Sequence, residues 1–278
     1  MKLVLHGVRG STPASGPGFL RVGGHTSCVS VTLRNAAAPA LVLDAGTGLT
    51  NLSAMLGGAP FRGEIVLSHL HWDHVQGIPF FRAGDTAAAD VILHLPAQDG
   101  AAAGRPGSAA TLLRRTMSPP HFPIGPEGLA GRWRFEARDA GWFTAGGARV
   151  LLADVPHKGG RTFGIRVEAD DASFAYLPDH DPSLDPGPGV ALAKGVDVLL
   201  HDAQFTDAER RWARAYGHAT IEDAITVAVR AGVRRLMLVH HGPARTDDQI
   251  EELTAKYAAD APLPVTVGRE GDELDLGR

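Results

Sequence analysis

The chain has 278 residues, 44% hydrophobic and 21% charged, which is enough for a sizeable buried core and excludes a disordered or collagen-like polymer. Lys plus Arg is 27 against 31 Asp plus Glu, and the resulting net charge of -4 gives no support for a broad nucleic-acid-binding face. No apolar run nears the ~20 residues needed to cross a bilayer, and the single Cys28 cannot form an internal disulfide, so a cytoplasmic protein is expected. The opening Met1-Lys2-Leu3-Val4-Leu5-His6-Gly7 is too short in apolar residues for a signal-peptide core.

Along the chain, short β-rich runs alternate with turns. Lys2 to His6 reads as a strand. Ser27 to Arg34 alternates in period two with β-branched residues, as a half-buried strand should. Ala40 to Asp44 is a continuous apolar run ending on a carboxylate. Thr47 is placed to cap a helix running to Leu56, which Gly57-Gly58 ends. Glu64 to Leu67 is another buried strand. An Ala-, Gly- and Pro-rich stretch from about 83 to 131 holds one strand (Asp90 to Leu95), one helix (Ser108 to Met117) and a rigid Pro-rich loop, Met117 to Pro123. Strands resume at Arg132 to Glu136, Ala148 to Val155, Thr162 to Glu168, Ser173 to Leu177 and Val196 to His201. Helical patterns follow at Thr206 to Tyr216 and Ile221 to Ala231, then a strand at Arg234 to Val239 and a helix at Asp247 to Ala259. No repeat, heptad or linker divides the chain, so residues 1–278 are expected to form one domain with an inserted loop region.

Thirteen histidines stand against one cysteine, so any metal must be held by nitrogen and oxygen. That points away from a thiolate structural zinc site and toward an open catalytic one. The sharpest signal is His69-x-His71-x-Asp73-His74, directly after a buried strand. Alternate residues of an extended segment share a face, so His69 and His71 can address one metal. The turn at Trp72 then offers Asp73 and His74 to a second. Each metal needs more partners, and a bridging carboxylate would hold a pair ~3.5–4 Å apart. Candidates sit at later strand ends: His157, Asp179 and His240.

His69-x-His71-x-Asp73-His74, with His157, Asp179 and His240 in that order after it, resembles the metal motifs of the metallo-β-lactamase fold superfamily over nearly the whole chain. The resemblance implies an α/β (α+β) four-layer αββα sandwich with the site on one edge between two sheets. It implies two divalent metals, zinc first with manganese or iron open: one on His69, His71 and His157, the other on Asp73, His74 and His240, with Asp179 shared. Leu43-Asp44-Ala45-Gly46-Thr47-Gly48 resembles the family's early motif, whose Asp orients a ligand. Gly7-Val8-Arg9-Gly10-Ser11-Thr12-Pro13 and Gly23-Gly24-His25-Thr26-Ser27-Cys28 resemble the opening of the tRNase Z-like and cyclic-phosphodiesterase-like branch. His201-Asp202-Ala203-Gln204-Phe205 is similar to that branch's His-Glu-Ala-Thr motif, one methylene shorter at the carboxylate, and Gly217-His218-Ala219-Thr220 to its Gly-His-Ser-Thr motif.

The resemblance therefore implies catalytic roles for Asp73, Asp202 and His218. Water activated by the two metals attacks phosphorus, and His218, polarised by Asp202, protonates the leaving oxygen. The alternative for His218 is a cap on the helix that begins near Thr220. His240 is preferred to His241 as ligand, and His180 is a neighbour of Asp179. Arg9 and Arg245 are the cations to look for near phosphate. His6, His94 and His121 are ordinary polar residues, although the loop of His121 resembles a segment that lines the substrate pocket in relatives.

A β-lactamase is disfavoured, because Asp179 stands where such relatives place Cys. A glyoxalase II-like thioesterase would need a C-terminal helical region for its thiol substrate, and only one helix follows His240; a thioester or lactone hydrolase of the same fold stays among the alternatives. For tRNA 3′-processing endonucleases, the 83–131 region carries few cations, chiefly Arg105, Arg114 and Arg115. A small, cyclic or linear phosphodiester leads as substrate, with tRNA processing the alternative and a metal-binding sensor last. A nucleic-acid partner ranks below a small phosphodiester without being excluded, and no membrane partner is expected. Relatives are often dimers, so a homodimer is open.

Overall fold

The computed structural model describes residues 1–98 and 108–277. Two seven-stranded sheets face each other. In chain order the first half holds β1 (Lys2–Gly7), β2 (Cys28–Thr32), β3 (Leu41–Leu43), α1 (Leu49–Met55), β4 (Arg62–Val66), α2 (Trp72–Val75), β5 (Asp90–Pro96), α3 (Ser108–Arg114) and β6 (Arg132–Arg138). The second half holds β7 (Gly141–Ala145), β8 (Ala148–Asp154), β9 (Phe163–Ala169), β10 (Ala172–Leu177), α4 (Gly187–Leu192), β11 (Val198–Asp202), α5 (Arg210–Tyr216), α6 (Ile221–Ala231), β12 (Leu236–Val239), α7 (Asp247–Asp260), β13 (Val265–Val267) and β14 (Glu273–Asp275).

The sheet orders are β14-β1-β2-β3-β4-β5-β6 and β13-β12-β11-β10-β9-β8-β7. Each sheet is antiparallel on one side and parallel on the other, changing at β3 and at β10. The parallel strands need helical crossovers, and these cover the outer faces. Leu3, Leu5, Val29, Val31, Ile165, Val167, Phe174 and Leu200 pack between the sheets. Leu49, Leu52, Ile65, Leu93, Leu112 and Leu113 fill the space under α1 and α3. Ala224, Val227, Ala228 and Ala231 face the second sheet from α6, at the three-to-four-residue spacing of a helix face. The four layers are those of the αββα sandwich that the motifs imply.

Several local expectations are corrected. Thr47 does not cap α1. Gly48 precedes that helix, and the Thr47 hydroxyl instead accepts from the Thr26 amide at 2.9 Å. The 206–216 segment is a 3₁₀ turn at Asp207–Glu209 followed by α5, with Thr206 and Glu209 capping each other. Strands β7, β13 and β14 and helix α4 are additions to the sequence reading. Arg105 lies outside the described residues. No helix among the described residues is long and apolar enough to cross a membrane.

Candidate metal centre and active site

Every site residue expected from sequence lies at the same edge of the sandwich. The His69–His74 loop follows β4 and runs into α2, His157 follows β8, Asp179 follows β10, Asp202 ends β11 and His240 follows β12. Strand ends on a rigid scaffold hold side chains more closely than loop tips do.

Donor atoms from His69, His71, His157 and Asp179 lie within 4.8 Å of one another, as do those of Asp73, His74 and His240. Asp179 sits between the two groups. Its Oδ1 is 3.0 Å from His74 Nε2 and 3.1 Å from His240 Nε2, and its Oδ2 is 3.4 Å from His157 Nε2 and 3.7 Å from His69 Nε2. His69 Nε2, His74 Nε2 and Asp179 Oδ1 are buried, yet none makes an aligned hydrogen bond. Buried polar atoms without partners carry a desolvation penalty. Converging here with only nitrogen and oxygen donors, they fit a pair of divalent cations. Cys28 is buried elsewhere, against Gly48.

The rings are fixed from behind. Asp44 accepts from the Ser68 amide (2.7 Å), the Ser68 hydroxyl (2.9 Å), His74 Nδ1 (2.7 Å) and the Tyr176 hydroxyl (3.1 Å). This leaves His74 Nε2 for the centre. His157 Nδ1 donates to the Gly217 carbonyl at 2.6 Å, which leaves its Nε2 likewise. The Ser11 amide donates to Asp73 Oδ2 at 2.8 Å. His240 holds a left-handed backbone with φ 55°, a conformation unfavourable outside glycine and one that clusters at functional sites. Gly10 is required beside it, since a Cβ there would come within 2.4 Å of His240 Nδ1.

Burial, reinforced by neighbouring imidazoles, pushes His69 well below the usual histidine range, and burial also lowers His71 and His157. Neutral rings are the ligating form. For Asp179, burial favours the neutral acid, but the surrounding imidazoles outweigh it and hold the carboxyl well below the usual range.

His218 Nδ1 lies 2.9 Å from Asp202 Oδ2 and 3.8 Å from Asp179 Oδ2. The shorter Asp202 side chain therefore still reaches its imidazole. Its Oδ1 accepts from the Gln204 amide at 3.0 Å, and its Oδ2 from the Ala219 amide at 3.2 Å. Burial lowers the His218 pKa, but the Asp202 carboxylate outweighs it and pushes the ring up to about 9. His218 does not cap α6; Thr220 does, accepting from the Asp223 amide.

The flanking histidines separate cleanly. His241 Nε2 bonds the Gly268 carbonyl at 3.0 Å and faces away from the centre. His180 pairs with His201 at 3.0 Å. His6 pairs with Ser30, His94 with Glu64, and His121 is exposed. The two arginines sought for phosphate are occupied by the fold. Arg9 is fully buried, ion-paired with Asp247 at 3.1 Å and donating to the Gly23 and Arg245 carbonyls. Arg245 is paired with Glu209 at 2.7 Å. Sequence reasoning missed Ser11, Ser68 and Tyr176 as supports. Ser68 had a signal, adjoining the ligand motif; the Ser11 amide and Tyr176 meet the site only through the tertiary fold.

A profile of the Beta-lactamase superfamily domain matches residues 41–241. The chain belongs to that superfamily. Curated members include a Ribonuclease Z of Mycobacterium bovis, 28% identical over 268 residues and covering 88% of this chain and 91% of the relative. A Ribonuclease Z of Halorubrum lacusprofundi is 30% identical over 261 residues, covering 80% and 79%. Among solved superfamily structures, the metallo-β-lactamase fold protein YhfI from Bacillus subtilis superposes with a TM-score of 0.73 at 16% identity, over 99% of both chains. The protein is a metal-dependent hydrolase of the metallo-β-lactamase fold.

Proposed function

We propose that the chain is a binuclear metal phosphodiesterase. His69, His71 and His157 would hold one divalent ion, Asp73, His74 and His240 the second, and Asp179 would bridge them. Bound there, such ions supply Lewis acidity toward phosphoryl oxygen and lower the pKa of water toward neutrality. Zinc suits the imidazole-rich set, and manganese or iron accept the same donors.

The observation that carries the phosphodiester reading is the His218–Asp202 pair beside Asp179. Phosphodiester cleavage expels an alkoxide, which needs a proton. Asp202 holds His218 Nδ1 and stabilises the imidazolium, so His218 Nε2–H is the proton given to the leaving oxygen. The Ser11 amide donates to Asp73 Oδ2 at 2.8 Å, which orients that carboxylate at the centre.

The sequence reading put a small diester ahead of tRNA. The curated relatives aligned over most of the chain are named Ribonuclease Z, which favours the reverse order. We take a precursor RNA 3′ end as the substrate to test first. Metal-loaded protein is incubated with a tRNA precursor carrying a 3′ trailer, and in parallel with bis(p-nitrophenyl) phosphate and cyclic nucleotides. Removal of the trailer supports RNA processing. Turnover of the small diesters with the precursor intact supports the small-diester reading. Turnover of neither, at full metal occupancy, overturns both.

A further inference from the structure

Two pockets adjoin along the metal-ligand loop. One, of about 220 Å³, is lined by His69 and His71 together with Leu70, Arg115, Thr116 and Arg161. The other, of about 260 Å³, is apolar and lined by Trp72, Ile78, Phe80, Leu113, Thr116 and Phe122. Thr116 belongs to both, and Leu70, His71 and Trp72 are consecutive. The two therefore form one trench, running from the candidate metal ligands past the C-terminal end of α3.

The demands of folding do not explain its lining. Trp72 is 71% exposed and Phe80 57%, so burial in the core accounts for neither side chain. Phe80 meets Phe122 edge-to-face with centroids 5.8 Å apart, so the aromatic wall is held in place. Arg161 is neutralised by Asp154 and Asp139. Arg115 is exposed, and its guanidinium has no ion pair or hydrogen bond among the described residues. The trench thus sets an uncommitted cation between the reacting centre and an aromatic pocket.

We propose that this trench is a nucleotide subsite: the nucleobase of the diester lodges against Trp72 and Phe80, and a phosphate flanking the scissile one meets Arg115. Flat π faces stack on bases whatever their identity, and the guanidinium fork matches phosphate oxygens. An aliphatic chain would fill the apolar pocket but leave Arg115 unmatched. The proposal rests on the phosphodiesterase reading for its chemistry, and its binding arm is independent of turnover.

The test measures binding of adenosine 3′,5′-bisphosphate to the metal-loaded protein by calorimetry, in wild type, Trp72→Ala, Trp72→Phe and Arg115→Ala. Trp72→Ala is expected to weaken binding about 10- to 100-fold, with Trp72→Phe recovering most of the loss, and Arg115→Ala about tenfold. In parallel, kcat/KM is compared for thymidine 5′-(p-nitrophenyl phosphate) and methyl p-nitrophenyl phosphate, which share a leaving group. The wild-type preference for the nucleoside ester should fall about tenfold or more in Trp72→Ala. Binding that depends on Trp72 and Arg115, with neither ester hydrolysed, keeps the subsite and refutes the phosphodiesterase reading. Hydrolysis of both esters, with bisphosphate binding unchanged in Trp72→Ala, overturns the subsite and keeps the activity.

Discussion

Replacing His218 by Ala separates proton donation from every other contribution of the site. The imidazole is held at 2.9 Å from Asp202, and its pKa is pushed up to about 9. At pH 7.5 an ordinary histidine near 6.5 is only about one-tenth protonated, whereas a ring near 9 is almost wholly so, about a tenfold gain in the acid form. Cations held at the proposed centre would oppose that rise, and the alkaline limb of the rate profile reads where the balance falls. General acid catalysis contributes ~10²–10⁴-fold, and only where the leaving group needs a proton. The assay is kcat across diesters whose leaving alcohols range from alkyl to p-nitrophenyl. His218→Ala should lose ~10²–10⁴-fold on alkyl leaving groups and far less on p-nitrophenolate, and its rate should no longer fall with the deprotonation of the acid. Asp202→Asn should show the same pattern in weaker form. Parallel losses across the series would refute the general-acid role, and loss of metal from His218→Ala would make the residue a ligand.

Asp179→Ala should lower metal content by elemental analysis and abolish activity on every substrate, because both donor groups converge on that carboxylate. Asp44→Ala leaves the buried Ser68 amide and His74 Nδ1 without their acceptor, and metal affinity should drop about 10- to 100-fold in a competition titration. Arg9→Met strands a buried Asp247 carboxylate and should destabilise the fold by about 3–5 kcal/mol in chemical denaturation. A raised KM with unchanged stability would instead return Arg9 to the substrate.

The candidate ligand set was legible because it is local. Four of the donors fall within six residues after a strand, and the others sit at ends of strands whose β-branched or apolar character marks them. What the sequence could not display is whatever depends on distant segments meeting. Gly7 to Pro13 was recognisable as a motif, but its work emerges only in space: the Ser11 amide holds Asp73, and Arg9 ties the loops around Gly23, Gly242 and Asp247 together. Arginine in a glycine-rich loop reads as an anion contact, and only burial shows that its charge is spent on the fold. Short elements were illegible for another reason. β13 and β14 have three residues each, too few for periodicity to register, and α4 begins Gly-Pro-Gly, which reads as a turn. Thr47 has a capping residue's chemistry but a tertiary partner, Thr26, outcompetes the helix for it.

The electrostatics of the site bear on how a chain of net charge -4 can handle a phosphodiester at all. Basic side chains are one way to draw in an anion, but Arg9, Arg161 and Arg245 are each paired with a carboxylate. In the proposed reading, positive charge comes instead from the two metal positions and from His218, which Asp202 keeps protonated. Such charge is concentrated at the reacting phosphorus, and its effect there is stronger because the surroundings are buried and of low dielectric. Selectivity then has to come from contact beyond the phosphate, and the proposed subsite, the Trp72–Phe80 wall with Arg115 at its edge, would supply it.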